Sequence, residues 1–343
     1  MAPEILPQGK RGWRRFALRW LVILVLLVVG GSFLIRMPGR SHSGPLPLPA
    51  PEHRETEERL RRHVQALAGD IGERNMWRPQ ALAAAAAYIE GEFGALGYRV
   101  MSQAYQVSSP PGEVRNLEVE IPGGRRPEEI VILGAHYDSV FGSPGANDNA
   151  TGVAALIELA RLLRDARPDR TLRLVAFANE EPPFFTTGEM GSQIHARRAR
   201  ERGERVQAML SLETLGYYSD DPKSQRYPFP LGLVYPSTGN FVGFVGNLGS
   251  AQLVRRCVEL FRSAAAFPSE GGALPGWIPG VGWSDHRSYW EEGYPAVMVT
   301  DTALYRYPWY HGAGDTPGRV HYERLARVTR GLVAVAAGLA VAD

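Results

Sequence analysis

Cysteine is almost absent from this sequence: Cys257 is the single one in 343 residues. No intrachain disulfide can form, and no thiolate cluster can hold a metal, so any metal centre must rest on histidine and carboxylates. Lysine is nearly as scarce. Lys10 and Lys223 are the only two among 38 basic residues, which we read as a genomic composition bias without functional content. The bulk of the chain also lacks a surplus of positive charge. Residues 1–40 hold seven basic residues against Glu4, which leaves 31 basic and 35 acidic residues for the remainder. A nucleic-acid-binding domain needs a basic patch on its folded part, so that class is excluded. No internal repeat is present. What remains, 44% hydrophobic and 22% charged, is ordinary globular composition, enough for a substantial core.

One long hydrophobic run stands apart, Trp20 to Ile35, uncharged throughout and preceded by Lys10, Arg11, Arg14, Arg15 and Arg19. Extended to Phe16 it reaches 20 residues, about the length that spans a bilayer core, with Arg19 able to snorkel to the interface. No small-residue cleavage site of the A-x-A kind follows, which argues against a removed signal peptide. The basic flank predicts a cytoplasmic N-terminus and an exported remainder, periplasmic or extracellular. The expected organisation is a basic cytoplasmic tail over 1–15, a transmembrane anchor over 16–35, a Pro-rich linker over 36–54 and a catalytic domain over 55–343. The segment PGRSHSGPLPLPAP reads as an extended spacer that lifts the domain off the membrane.

From residue 55 onward helical and strand patterns alternate. Helices are expected over 55–68, 80–96, 150–165, 188–201, 249–264 and 321–341. Strands are expected over 98–107, 114–121, 128–138 (EEIVILGAHYD), 171–181 (TLRLVAFANEE), 206–214 (VQAMLSLET) and 294–301 (YPAVMVTD). Apolar runs that end in polar residues are the mark of buried parallel strands. The fold class that follows is α/β: a single domain with a central, mostly parallel mixed sheet covered by helices on both faces, preceded by one transmembrane helix.

In such sheets the ligand site lies beyond the carboxyl ends of the strands. His136, Asp138, Glu180, Glu181 and Glu213 all fall there. Singly, each has an ordinary reading: a lone His is a surface residue, Glu-Glu a solvated turn, and Asp148 or Asn149 a helix cap. Together, three strand ends deliver ligand-type side chains to one edge, and His with carboxylate is what zinc takes when thiolates are missing. Asp138, two residues after His136, can fix the imidazole. Of the adjacent pair, one acid can bind metal while its neighbour stays free as a general base.

The segments HYDSVFGSPGANDNATGVAALIELARLL, FANEEPPFF, SLETLGYYSD, SDHRSYWEEGYPAVMVTD and YHGAGDTPGRVHYERLARV resemble, in order and spacing, the double-zinc aminopeptidase family. That family includes bacterial leucyl-type aminopeptidases and relatives of glutamate carboxypeptidase and glutaminyl cyclase. The resemblance covers about residues 55–340. It implies two Zn2+ per chain bridged by Asp148, with His136 and Glu213 completing one site and Glu181 and His311 the other. It implies Glu180 as general base and acid, Asp138 as support for His136, Asp315 as an outer support, and a cis peptide at Asp148–Asn149. Asp285 and His286 match a stretch near the active site without an assigned role. Two departures stand out: Glu213 where Asp is frequent, and Asn149 where Asp is frequent.

The expected function is a membrane-anchored zinc-dependent exopeptidase, an aminopeptidase acting on the N-terminal residue of peptides. Phe184, Phe185, Tyr217 and Tyr218 are candidates for a side-chain pocket, although their composition fits packing equally. The competing readings are a glutaminyl cyclase with one zinc, a carboxypeptidase, which needs arginines in the pocket, and a catalytically dead ectodomain, which should lack ligands.

Overall fold

The structure is a computed structural model that describes residues 9–342; the side chains at 24 and 26–29 lie outside that description. The helices are α1 (Gly9–Ile35), α2 (Pro51–Val64), α3 (Pro79–Ala95), α4 (Thr151–Leu163), α5 (Gly191–Glu201), α6 (Ala251–Ala264), α7 (His286–Glu291), α8 (Ala303–Arg306) and α9 (Tyr322–Leu339). The strands are β1 (Met101–Ser108), β2 (Pro111–Ile121), β3 (Arg126–His136), β4 (Arg170–Phe177), β5 (Arg205–Glu213), β6 (Val242–Gly246), β7 (Ser269–Ala273) and β8 (Ala296–Thr300). They form one eight-stranded sheet in the order β1-β2-β4-β3-β5-β8-β6-β7.

The four strands β4, β3, β5 and β8 are parallel to one another. Antiparallel pairs join this centre to its flanks, β2 on β4 and β6 on β8. Buried side chains alternate between two clusters. Val131, Leu133 and Ala135 face the larger one, shared with α2, α4, α6 and α9. Ile130 and Ile132 face the smaller one, under α5 and α7. A strand apolar on both faces is what a doubly covered parallel sheet requires. Gly134 is needed where it stands, because a Cβ there would meet the Phe177 ring at 2.3 Å.

Register then positions the chemistry. His136 pairs with Phe177, Gly134 with Ser211, and Glu213 with Thr300. Two residues beyond the Gly134–Ser211 pair, His136 and Glu213 reach the same sheet edge. The short strands β6 and β7 were not expected, because VGFVG and SEGGA carry too much glycine for a strand signal.

At the N-terminus α1 spans Gly9–Ile35, so the basic residues from Lys10 to Arg19 are helical. Of the expected tail, residues 1–8 lie outside the described residues, as do the side chains at 24 and 26–29 of the expected anchor. Among the described residues no helix is long and apolar enough to cross a membrane. The expected anchor over 16–35 reaches 20 residues only by including Arg19; its uncharged part, Trp20 to Ile35, rises roughly 24 Å at ~1.5 Å per residue, short of a ~30 Å hydrocarbon core.

The Pro-rich segment is a strap, not a free spacer. Arg262 donates to the Pro38 carbonyl at 3.0 Å, the Ser269 amide to Ser41 Oγ at 2.9 Å, and Arg327 to the Pro47 carbonyl at 2.5 Å. Met37 and Leu46 pack against the large core cluster. Arginines of α6 and α9 satisfy strap carbonyls, which proline-rich backbone leaves without partners of its own.

Candidate metal centre

After His136 the chain leaves β3 through Tyr137, Asp138 and Ser139 and returns through Gly145 (φ 62°) to Asp148. The peptide between Asp148 and Asn149 is cis, as the resemblance implied. Asn149 explains its own departure from Asp. Its Oδ1 accepts the amides of Gly152, in the first turn of α4, and Thr214 at 3.0 and 3.1 Å, and its Nδ2 donates to the Leu212 carbonyl at 2.8 Å. A carboxylate could not make that last bond. Asp315 holds the same turn from the other side, accepting the amides of Asn147 and Asp148 at 2.8 and 3.0 Å.

Asp138 aligns two segments at once. Its Oδ1 lies 3.5 Å from His136 Nδ1, and its two oxygens accept the amides of Glu180 and Glu181, each at 3.0 Å. Ser284 donates to Glu213 Oε2 at 2.8 Å. Backbone strain gathers on these residues: Asn179, just before Glu180, Thr214, just after Glu213, and His311 itself have φ of 56°, 46° and 57°. Such left-handed non-glycine residues cluster where a site is over-determined by its surroundings.

The side chains of His136, Asp148, Glu181, Glu213 and His311 come together. His136 Nε2 lies 3.2 Å from Glu213 Oε2 and 3.4 Å from Asp148 Oδ1. His311 Nε2 lies 3.2 Å from Asp148 Oδ2 and 3.3 Å from Glu181 Oε2. Two triads result, His136–Asp148–Glu213 and Asp148–Glu181–His311, each with its ligand atoms within 4.8 Å of one another. Asp148 belongs to both and turns one oxygen to each histidine. Both ring nitrogens of His136 and Asp148 Oδ2 are buried without a hydrogen-bond partner among the described residues. Groups of that kind are not left unsatisfied without a reason, and imidazole with carboxylate is a donor set that fits zinc. Glu180 Oε2 stands 3.9 Å from His136 Nε2.

The electrostatics are those of a site that wants cations. Burial raises Glu180 and Glu181 well above the usual carboxylate range, and Glu213 as well; neighbouring acids add to each. Burial opposes the charge of Asp148 too, but bonding to His136 and His311 outweighs it and holds that carboxyl well below its ordinary value. Burial pushes Asp285 up to about 7 and Asp315 to about 6.

Beside these expected residues stands one that the sequence did not announce. Arg74 is wholly buried and donates to the carbonyls of Tyr137, Gly72, Pro144 and Gly145 at 2.5–3.2 Å. It ties both ends of the loop that carries Asp138 and leads to Asp148. No spacing pattern marks it. Asp285 sits against the cluster, both oxygens unpartnered among the described residues, whereas His286 turns into the wall to bond the Val281 carbonyl at 2.8 Å. Phe184 and Tyr218 are buried packing residues, as their composition allowed. An apolar cavity lies elsewhere, adjoining Glu213 and Tyr310 and lined by Tyr227, Tyr235, Phe241, Val281, Trp283 and Met298.

Comparison with known proteins agrees with this geometry. The model of peptidase family M28 matches residues 116–336, well over half of the chain. The uncharacterized protein YfbL of Escherichia coli K12 is 38% identical over 295 residues, covering 83% of this chain and 89% of its own. Aminopeptidase YwaD of Bacillus subtilis is 34% identical over 214 residues, 61% of this chain and 41% of that protein. The chain spans only about a quarter to a half of the curated relatives named as peptidases. In fold it is similar to BSAP, a zinc aminopeptidase from Bacillus subtilis, with TM-score 0.64 at 15% identity over 88% of this chain and 97% of that one. The glutaminyl cyclase of Bacteroides thetaiotaomicron gives TM-score 0.63 at 18% identity over 85% and 98%.

Proposed function

The chain belongs to peptidase family M28, and from that premise we propose that it is a zinc aminopeptidase that removes single N-terminal residues from peptides. The observation that carries the reading is the pair of triads that share Asp148 beside an apolar cavity. His136, Asp148 and Glu213 would hold one zinc ion; Asp148, Glu181 and His311 would hold a second. Zinc held there supplies Lewis acidity towards a peptide carbonyl and towards water. Glu180 accepts the proton of the attacking water and passes it to the leaving amine; its alignment by Asp138 suits that task. The cavity next to Glu213 and Tyr310 receives the first side chain, and its lining favours apolar ones.

Charge sets the direction of attack. Asp148, Glu180, Glu181 and Glu213 surround one cleft, which favours a free α-amine and repels a C-terminal carboxylate. None of the cavity-lining residues is an arginine, so the carboxypeptidase reading lacks its essential group. A leucyl tripeptide amide should be cleaved and its N-acetylated twin spared by at least tenfold. Equal hydrolysis of both would falsify the aminopeptidase reading. Peptides beginning with glutamine belong in the same assay, because cyclisation without residue release would assign the site to glutaminyl cyclase chemistry instead. We also propose that α1 holds the domain at a membrane surface. Trp13, Leu18, Trp20, Leu21, Val22 and Ile23 are large, apolar and exposed along it, and five basic residues lead in. Membrane fractionation of the full chain checks this.

A further inference from the structure

Beside the cation cluster the surface displays an aromatic pair. Trp77 is 45% exposed and Phe141 66%, and their rings meet edge to face at 6.3 Å. Large rings left in water at a site's rim mark a place where something apolar docks. The backbone beneath the pair is tightly held. The Trp77 amide donates to Asn75 Oδ1 at 3.0 Å, Asn75 Nδ2 to the Ser139 carbonyl at 3.1 Å, and the Gly142 amide to Glu73 Oε1 at 3.0 Å. Arg74 underlies the same loop. The rings therefore stand on a braced platform.

Their position relative to the chemistry is fixed by Val140, whose amide donates to Glu181 Oε1 at 3.1 Å. Phe141 is thus one residue from a bond to a cation-site carboxylate. The apolar cavity adjoins Glu213, at the other triad. The same cavity is also lined by Tyr310, whose ring stacks on His311 at 3.9 Å, and neither Trp77 nor Phe141 lines it, so cavity and aromatic pair are two separate apolar surfaces beside the cluster that Asp148 joins. A peptide with its scissile carbonyl over that cluster and its first side chain in the cavity leaves the aromatic pair free to receive a side chain of its remaining portion.

We propose that Trp77 and Phe141 form a subsite for an apolar side chain on the leaving side of the scissile bond, so that the enzyme prefers N-terminal dipeptide units whose second residue is large and hydrophobic. This rests on the aminopeptidase reading. Phe141 and Trp77 are specificity residues: they shape binding of the leaving portion and touch no reacting atom. Partial burial of one aromatic side chain gives a preference of roughly tenfold.

The test uses the full zinc-loaded chain with leucinamide, Leu-Gly-amide and Leu-Phe-amide. The wild type should show kcat/KM for Leu-Phe-amide about tenfold above Leu-Gly-amide, carried by KM. Phe141→Ala and Trp77→Ala should each cut that ratio severalfold, and Phe141→Leu should restore part of it. Both side chains are solvent-exposed, so folding is not at stake. A ratio that is the same in wild type and both alanine variants overturns the subsite, as does a loss in Phe141→Ala that is equal for the glycine and phenylalanine substrates. Failure of the wild type to release leucine from any of the three would instead sink the aminopeptidase reading.

Discussion

Glu180 and Glu181 share one backbone turn, and Asp138 accepts the amides of both, yet their carboxylates face different partners. Glu181 Oε2 lies against His311 at 3.3 Å, while Glu180 Oε2 stays 3.9 Å from His136. Both acids also come within 4.8 Å of His136 as a third possible grouping, in which Glu180 would be a ligand. Glu180→Gln decides between the roles. We expect it to keep its zinc and lose turnover by roughly 10²–10⁴-fold, the usual contribution of a general base, whereas Glu181→Gln loses bound zinc. Elemental analysis together with leucinamide turnover reads both. A Glu180→Gln protein that is short of zinc would make Glu180 a ligand. His136, Glu181 and Glu213 were legible in the sequence because each is a polar residue that ends an apolar strand or opens the loop after it, whereas Asp148 and His311 were indicated only by the family resemblance. Arg74 was not, because its role consists of hydrogen bonds donated to the backbone carbonyls of Gly72, Tyr137, Pro144 and Gly145, and carbonyls leave no trace in side-chain patterns.

At the scale of elements, the long strands were legible from hydrophobic runs, and the strap and the glycine-rich β6 and β7 were not. Runs report burial on both faces of a strand; they do not report a segment held by arginines from a neighbouring helix. Helix contacts can also carry a pH dependence. His63 of α2 bonds the Tyr88 hydroxyl of α3 at 2.7 Å and is almost fully buried. Burial, with Arg62 and Arg59 nearby, lowers its pKa from 6.5 to about 3. Glu92 approaches at 3.9 Å but remains partly in solvent, so desolvation wins. Above pH 6.5 the imidazole is neutral in both states and its contribution is complete. As pH falls from 6.5 towards 3, the unfolded chain takes a proton that the folded one refuses, and stability drops by ~1.4 kcal/mol per pH unit. Between pH 7 and pH 5 the wild type should therefore lose about 2 kcal/mol more than His63→Gln. Denaturant midpoints of both proteins at the two pH values measure it, and parallel losses would refute it.

For the whole molecule, the question is how the exposed apolar helix relates to the domain that follows. The strap gives an answer that a loose spacer would not. Met37 packs into the core cluster and would touch a Cβ placed on Gly271, so the exit of α1 is fixed against the edge strand β7. Arg255 donates to the Phe33 carbonyl at 3.1 Å and covers the Phe33 ring at 4.4 Å, extending the junction into α1 itself. The domain is then held close to whatever surrounds the helix, in one orientation, and not swung on a tether. Anchoring and stability should separate on truncation. The full chain should sediment with membranes, and a chain beginning at Arg36 should be released yet keep its melting temperature. A chain beginning at Pro51 should also be released but melt lower. Two partly buried apolar side chains and three arginine- or serine-mediated bonds are lost against the regained entropy of the strap, a net of roughly 1–3 kcal/mol. In a domain of this size that lowers Tm by about 2–6 °C. If the Arg36 and Pro51 chains melted together, the strap would contribute nothing to the fold, and the Pro-rich segment would be the free spacer that its composition suggests.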